Sequence, residues 1–124
     1  MHAHLALGIE GENYATEYLK QNGYHIIERN FLRPWGELDI IARDKDKTLV
    51  FVEVKTLREM SSMKPEDNMT KSKIKKFART AELYANANSK LVNEKRGWRL
   101  DVITLTKIEN DFEINHYKNI ETSV

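Results

Sequence analysis

The sequence predicts an α/β fold, a sheet with helices packed on it. Three observations carry this: a helical opening stretch that ends in Asn-Gly, a pair of strand-like runs joined by a polar turn, and a second amphipathic helix followed by two more strands. One domain is expected across residues 1–124, because 124 residues with 40% hydrophobic content supply a single modest core.

In chain order, residues from about Ala3 to Gln21 read as a helix closed by Asn22 and Gly23, a common C-terminal signal. Tyr24 to Leu32 (YHIIERNFL) is strand-like but alternates imperfectly, and RPWG then turns the chain. ELDIIAR and TLVFVEVK are the two clearest strands, joined by the polar turn DKDK. A polar loop follows from Leu57 to Met69. Thr70 to about Ala87 reads as a second helix with Thr70 as its N-cap. WRLDVITLT and FEINHYKNI close the chain as two strands around KIEND.

Charged residues make up 31% of the chain, yet the net charge is only +1. Overall charge therefore names no partner, and any case for nucleic acid rests on where the charges sit. Cysteine is absent, which excludes a disulfide framework and thiolate metal or redox chemistry. No apolar run approaches the ~20 residues of a membrane span. The opening MHAHLALGIEGENY lacks a basic stretch followed by an apolar one, so no secretory leader is expected. The expectation is a cytoplasmic protein with no membrane partner.

The chemistry-bearing pattern lies between Gly36 and Thr56. Alternation puts Glu37, Asp39 and Ile41 on one strand face and Leu38, Ile40 and Ala42 on the other. In the next strand Phe51, Glu53 and Lys55 share a face opposite Val50, Val52 and Val54. A turn centred on Asp46 sets Asp39 across from Glu53 and Glu37 across from Lys55, with directly opposed Cβ atoms about 5 Å apart. Two carboxylates that close repel unless one is protonated or a cation lies between them. A salt bridge, solvent at a sheet edge or a hard divalent ion would each account for such charges. Mg²⁺ takes oxygen ligands, and Lys55 beside it would orient an attacking water. A mixed Glu and Lys face is also a common solvated surface.

At about 100° per residue, Leu5, Gly8, Gly11, Ala15 and Leu19 cluster on one side of the first helix, with Glu12 inside the cluster. Small residues there suggest a helix lying close to the sheet with a carboxylate aimed inward. The competing reading has Glu12 reaching the helix edge or pairing with an arginine. In the second helix Lys71, Lys73, Lys75, Lys76 and Arg79 crowd the first turns, while Ile74, Phe77, Ala78, Ala81 and Tyr84 form the apolar stripe. Cations at a helix N-terminus oppose its macrodipole, and a bound polyanion would offset that cost. An ordinary solvated lysine face is the alternative.

GIEGENYATEYLKQNGYHIIERN, GELDIIARD, LVFVEVKT and the helix from Thr70 together resemble the YraN family of small bacterial proteins, uncharacterised protein family 0102. That family belongs to the PD-(D/E)XK, or restriction-endonuclease-like, superfamily and is similar to archaeal Holliday-junction resolvases. The resemblance runs from Gly8 to about Ile103. It implies a mixed central β-sheet flanked by helices, and hydrolysis of phosphodiester bonds in structured or branched DNA by a metal-dependent endonuclease using Mg²⁺ or Mn²⁺. Asp39 takes the superfamily's aspartate position, Glu53 and Lys55 the E-x-K positions, and Glu12 the helical glutamate of resolvase-like members. The implied metal ligands are Asp39, Glu53, Glu12 and the carbonyl of Val54. From the charge placement on the second helix, Lys71, Lys73, Lys76 and Arg79 are the expected DNA contacts. A homodimer and a protein partner in DNA processing stay open. The alternatives on the same fold are a non-catalytic DNA-binding module and an adaptor. Asp101 fits the last core strand and is expected to be structural. His2, His4, His25 and His116 show no metal-ligand spacing.

Overall fold

The computed structural model describes residues 3–58 and 69–122. Its elements are α1 (Ala3–Gln21), β1 (His25–Arg33), β2 (Gly36–Arg43), β3 (Leu49–Arg58), α2 (Lys71–Ala87), β4 (Trp98–Ile108) and β5 (Asp111–Tyr117). A short 3-10 turn over Ser89–Leu91 follows α2. The five strands form one sheet in the order β1-β2-β3-β4-β5. β3 and β4 pair in parallel with α2 as the crossover, and every other pair is antiparallel. This is the mixed α/β sheet with flanking helices that the sequence predicts. No helix among the described residues is long and apolar enough to cross a membrane.

Both helix ends expected from the sequence have a structural cause. Gly23 adopts a φ of 88°, and the Tyr24 and Gly23 amides donate to the carbonyls of Leu19 and Lys20. That is a Schellman cap, which satisfies carbonyls the helix end would leave bare. At the start of α2, the Thr70 hydroxyl accepts from the Lys73 amide at 3.3 Å. The loop expected over 57–69 shortens at its start, because β3 continues to Arg58; residues 59–68 lie outside the described residues.

Each sheet face carries its own core. α2 packs Phe77, Ala81 and Tyr84 onto Phe31, Leu38, Ile41 and Phe51. α1 packs Ala15 and Leu19 onto Ile40, Ala42, Val50, Val52 and Ile103. Two expectations about faces need correction. Leu38 and Ile40 do not share a core, because the alternation slips between them. Asn30, which takes a left-handed φ of 53° inside β1, and Asp39 drop out of the ladder between Arg29↔Ile40 and Phe31↔Leu38, whereas the register itself shifts between Ile26 and Glu28. In α1 the buried face runs through Leu7, Gly11 and Ala15, whereas Gly8 faces open space. Gly11 does lie against the sheet: a methyl group there would collide with the Thr56 side chain. The side chain of Leu5 lies outside the described residues.

Candidate active site

The site is assembled where β2 and β3 part. Their ladder runs from Arg43↔Leu49 to Ile40↔Val52 and ends there. Asp39 and Glu53 stand next in the register that the DKDK turn predicts, but they do not pair across the strands as expected. One carboxylate oxygen of Asp39 instead accepts the Val54 amide at 2.8 Å. The carboxylate takes a ladder position that a backbone carbonyl would otherwise hold, so the strands fork around it. Gly36 fixes the start of β2 against α2, since a Cβ there would strike the Thr80 side chain. Lysines of α2 are thereby brought over the acidic fork.

Glu12 enters from α1 with its side chain 15% exposed, and Arg29 of β1 holds it. The Arg29 guanidinium donates to Glu12 from Nη2 at 3.1 Å and from Nε at 3.3 Å, and Nη2 also reaches Asn13. The inward aim and the arginine partner, alternatives at the level of sequence, are both present. Glu53 pairs with Lys55 at 3.3 Å, with side chains 17% and 24% exposed.

The acids perturb one another. Burial pushes the Asp39 carboxyl up to about 7, and the charge of Glu53 adds to the effect; the Val54 amide offsets part of it, and Glu12 and Glu37 raise it further. Burial also raises Glu53, while Lys55 pulls it down, Glu37 raises it and Lys73 lowers it. Burial is the common cause, and neighbouring negative charge adds to it.

Two clefts open on this cluster. One, lined by Glu12, Asn30, Asp39 and Val54, lies toward α1. The other, lined by Glu53, Lys76, Phe77 and Thr80, lies toward α2. Glu37, Lys55 and Lys73 line both. Of the four basic residues expected to meet DNA, Lys73 and Lys76 stand at the cleft, whereas Lys71 and Arg79 are exposed on α2 outside either lining. Sequence reasoning did not assign Glu37 or Arg29 to the site. Glu37 was visible as the residue two before Asp39 on an alternating strand; nothing local marked Arg29, which reaches Glu12 only through packing of β1 beside α1.

Every donor here is oxygen, and the negative charge exceeds the local cations at Asp39. That chemistry suits a hard divalent ion held by one or two carboxylates with water completing the shell. Among the described residues no three His, Asp or Glu side chains converge closely enough to hold an ion by themselves. Asp39 and Glu53, which feel each other's charge though they line different clefts, are the candidate ligands, and Glu12 is engaged by Arg29.

Comparison with known proteins places the chain among relatives of matching length. The sequence model of the uncharacterised protein family UPF0102 matches residues 11–105. A UPF0102 protein of Syntrophomonas wolfei is 38% identical over 113 residues, covering 91% of this chain and 95% of the relative. One from Clostridium botulinum strain Loch Maree is 38% identical over 115 residues, covering 91% of each chain. One from Persephonella marina is 36% identical over 116 residues, covering 88% of this chain and 95% of the relative. Among solved structures, an EndoMS–dsDNA complex aligns with a TM-score of 0.44 at 16% identity, over 73% of this chain and 34% of that one. Pyrococcus furiosus SfsA in complex with Ca²⁺ aligns with a TM-score of 0.39 at 18% identity, over 84% of this chain and 58% of that one. Both structural likenesses are remote.

Proposed function

The chain belongs to the uncharacterised protein family UPF0102, and from that premise we propose that it is a metal-dependent endonuclease acting on structured or branched DNA. The observation that carries the proposal is Asp39. It is a half-buried carboxyl with one amide donor and three acids around it, set beside a lysine-bearing helix. A structural acid at such a position would have been given donors.

In this reading Asp39 and Glu53 would hold Mg²⁺ or Mn²⁺ with the Val54 carbonyl and water, while Glu12, engaged by Arg29, would add its charge beside the site. When bound, the ion supplies positive charge to neutralise the scissile phosphate and acidify water. Lys73 and Lys76 grip phosphates along the strand, so that the scissile group lies over the fork. Lys55, shared by both clefts, orients the attacking water. The water oxygen would bond to phosphorus as its proton passes to solvent, and the P–O bond to the leaving nucleotide would break, its oxygen taking up a proton from solvent. Hydrolysis is balanced without any other reactant.

A second reading, a DNA-binding module without catalysis, draws on a specific observation. Glu12 and Glu53 already have cationic partners in Arg29 and Lys55, so two of the acids are neutralised without an ion. The test is to incubate purified protein with Mg²⁺ and linear, flapped and four-way-junction DNA, beside the Asp39→Asn variant. Mg²⁺-dependent cleavage of the branched forms that Asp39→Asn abolishes is expected. Binding of the same DNA with no cleavage and no Mg²⁺-dependent thermal shift would install the binding module instead.

A further inference from the structure

We propose that the slot beside the β1–β2 turn is a binding site for one unstacked nucleobase, so that the DNA preferred by this protein carries an unpaired nucleotide near the cleavage point. The proposal rests on the nuclease reading and names the substrate feature that reading leaves open.

Trp35, at the tip of the turn, is 52% exposed, and Leu83 of α2, which lines the same slot, is 41% exposed. Large apolar side chains grouped on a surface mark a place where something binds. Here they border a slot of about 170 Å³, lined by Phe31, Arg33, Trp35, Leu83, Tyr84 and Asn88 among others. Its floor is rigid, because the rings of Phe31 and Tyr84 meet edge to face at 5.0 Å. Its rim carries two polar groups. The Arg33 guanidinium lies 4.2 Å over the Phe31 ring, with Nη1 anchored on the Leu32 carbonyl at 2.8 Å and its other donors uncommitted by that bond. The Asn88 amide nitrogen donates to the Tyr84 carbonyl at 2.9 Å, which leaves the amide oxygen as an acceptor. Aromatic walls with a guanidinium and an amide at the edge are what a splayed-out base requires: stacking for its face and hydrogen bonds for its rim.

The slot lies one turn along α2 from the lysine-lined cleft, which points to nucleic acid rather than to a protein as its occupant. Trp35 adjoins Gly36, which packs on Thr80, and Thr80 lines the cleft with Lys73 and Lys76. Tyr84, one turn further along α2, lines the slot. From Lys76 to Leu83 the helix rises about 10 Å at 1.5 Å per residue, or about three base steps of DNA. A strand whose phosphates follow Lys73 and Lys76 past the cleft would bring a nearby base to Trp35.

The test is fluorescence anisotropy with labelled DNA in EDTA, comparing a blunt duplex with the same duplex carrying one bulged nucleotide. The parent should bind the bulged DNA ~10-fold more tightly, the order of preference that base–aromatic stacking supplies. Trp35→Ala should keep the affinity for duplex and lose the preference, and Trp35→Phe should keep most of it; thermal melts of both variants establish that they are folded. Equal binding of the two DNAs by the parent, or an undiminished preference in folded Trp35→Ala, overturns the base site and leaves the nuclease reading standing. Failure of the parent to bind either DNA sinks both. If Trp35→Ala leaves DNA preference intact but abolishes self-association in sedimentation velocity, the slot is a protein interface and the proposal is wrong.

Discussion

Replacing Asp39 by Asn should stabilise the metal-free protein, by an amount that grows with pH. The folded-state carboxyl is pushed up from 3.8 to about 7, so the native state holds its proton through a window in which the unfolded chain has lost it. The sign follows: the contribution of Asp39 to native stability is greatest below pH 3.8, falls as pH rises through the window, and levels off above about 7. At about 1.4 kcal/mol per pH unit, the full cost at pH 8 has an upper bound of about 4 kcal/mol. Rearrangement of Glu53 and Lys55 relieves part of it, so about 2 kcal/mol is expected. Asn keeps an oxygen for the Val54 amide while removing the charge that Glu53 opposes. A domain of this size should then melt roughly 5–10 °C higher than the parent at pH 8, with the gain shrinking toward pH 4. The assay is a series of thermal melts in EDTA from pH 4 to 8, repeated with Mg²⁺. The parent should gain stability from Mg²⁺ increasingly as pH passes 7, and Asp39→Asn should gain less. If Asp39→Asn melts lower than the parent by the same amount at every pH, Asp39 is a structural hydrogen-bond acceptor and the argument from its charge collapses.

The other predictions address neighbouring groups. Arg29→Gln removes the cation that neutralises Glu12, so it should tighten Mg²⁺ binding several-fold in calorimetric titration and slightly lower the metal-free melting temperature; unchanged or weaker Mg²⁺ binding would show that Glu12 does not reach the ion. Lys55→Ala leaves the carboxylates in place, so Mg²⁺ binding should persist while cleavage of branched DNA falls below detection; cleavage at the parental rate removes Lys55 from the chemistry. Paired Lys73→Ala and Lys76→Ala changes should weaken DNA binding and reduce its salt slope by about one per lost phosphate contact. Lys75→Ala, which alters an exposed position outside the cleft lining, should do so less, and an equal loss would mean that the helix acts only through its total charge.

The fold was legible because its signals are local. Asn-Gly after α1, Thr70 before α2 and the DKDK turn each fix one boundary through the chemistry of two or three residues, and each stands where the sequence puts it. The site was legible only in part because its geometry comes from departures from regularity. Strict alternation puts Leu38 with Ile40, but Asp39 between them drops out of the ladder opposite a left-handed Asn30 in the neighbouring strand, and no pattern within β2 announces it. The register across the DKDK turn does align Asp39 with Glu53, yet alignment does not reveal that the ladder ends one pair earlier. Arg29, Thr80 and Gly36 meet their partners through tertiary packing at long sequence separation.

Asp39 and Asp101 show why packing, and not residue type, separates a site from a scaffold. Both are aspartates in central strands of the same sheet, and burial alone would raise both. Asp101 is fully buried, but it receives His116 at 2.8 Å, the Asn119 amide at 2.9 Å and the Arg99 guanidinium at 3.0 Å, and Arg99 is held in turn by Asp44 at 3.1 Å. Those donors outweigh burial and bring Asp101 below the ordinary carboxyl range, first through His116 and then through Arg99 and Asn119. Its charge is therefore stable without help, which suits a residue that locks β4 to β5 and the segment beyond. Asp39 has one amide and three acids, so its charge is stable only if something positive arrives. A chain that surrounds one buried carboxylate with donors and leaves a half-buried one short of them has set the second apart. The shortfall costs metal-free stability, and a cation that relieves it gains that same free energy as affinity, which is why the melting of Asp39→Asn and the binding of Mg²⁺ must move in opposite directions.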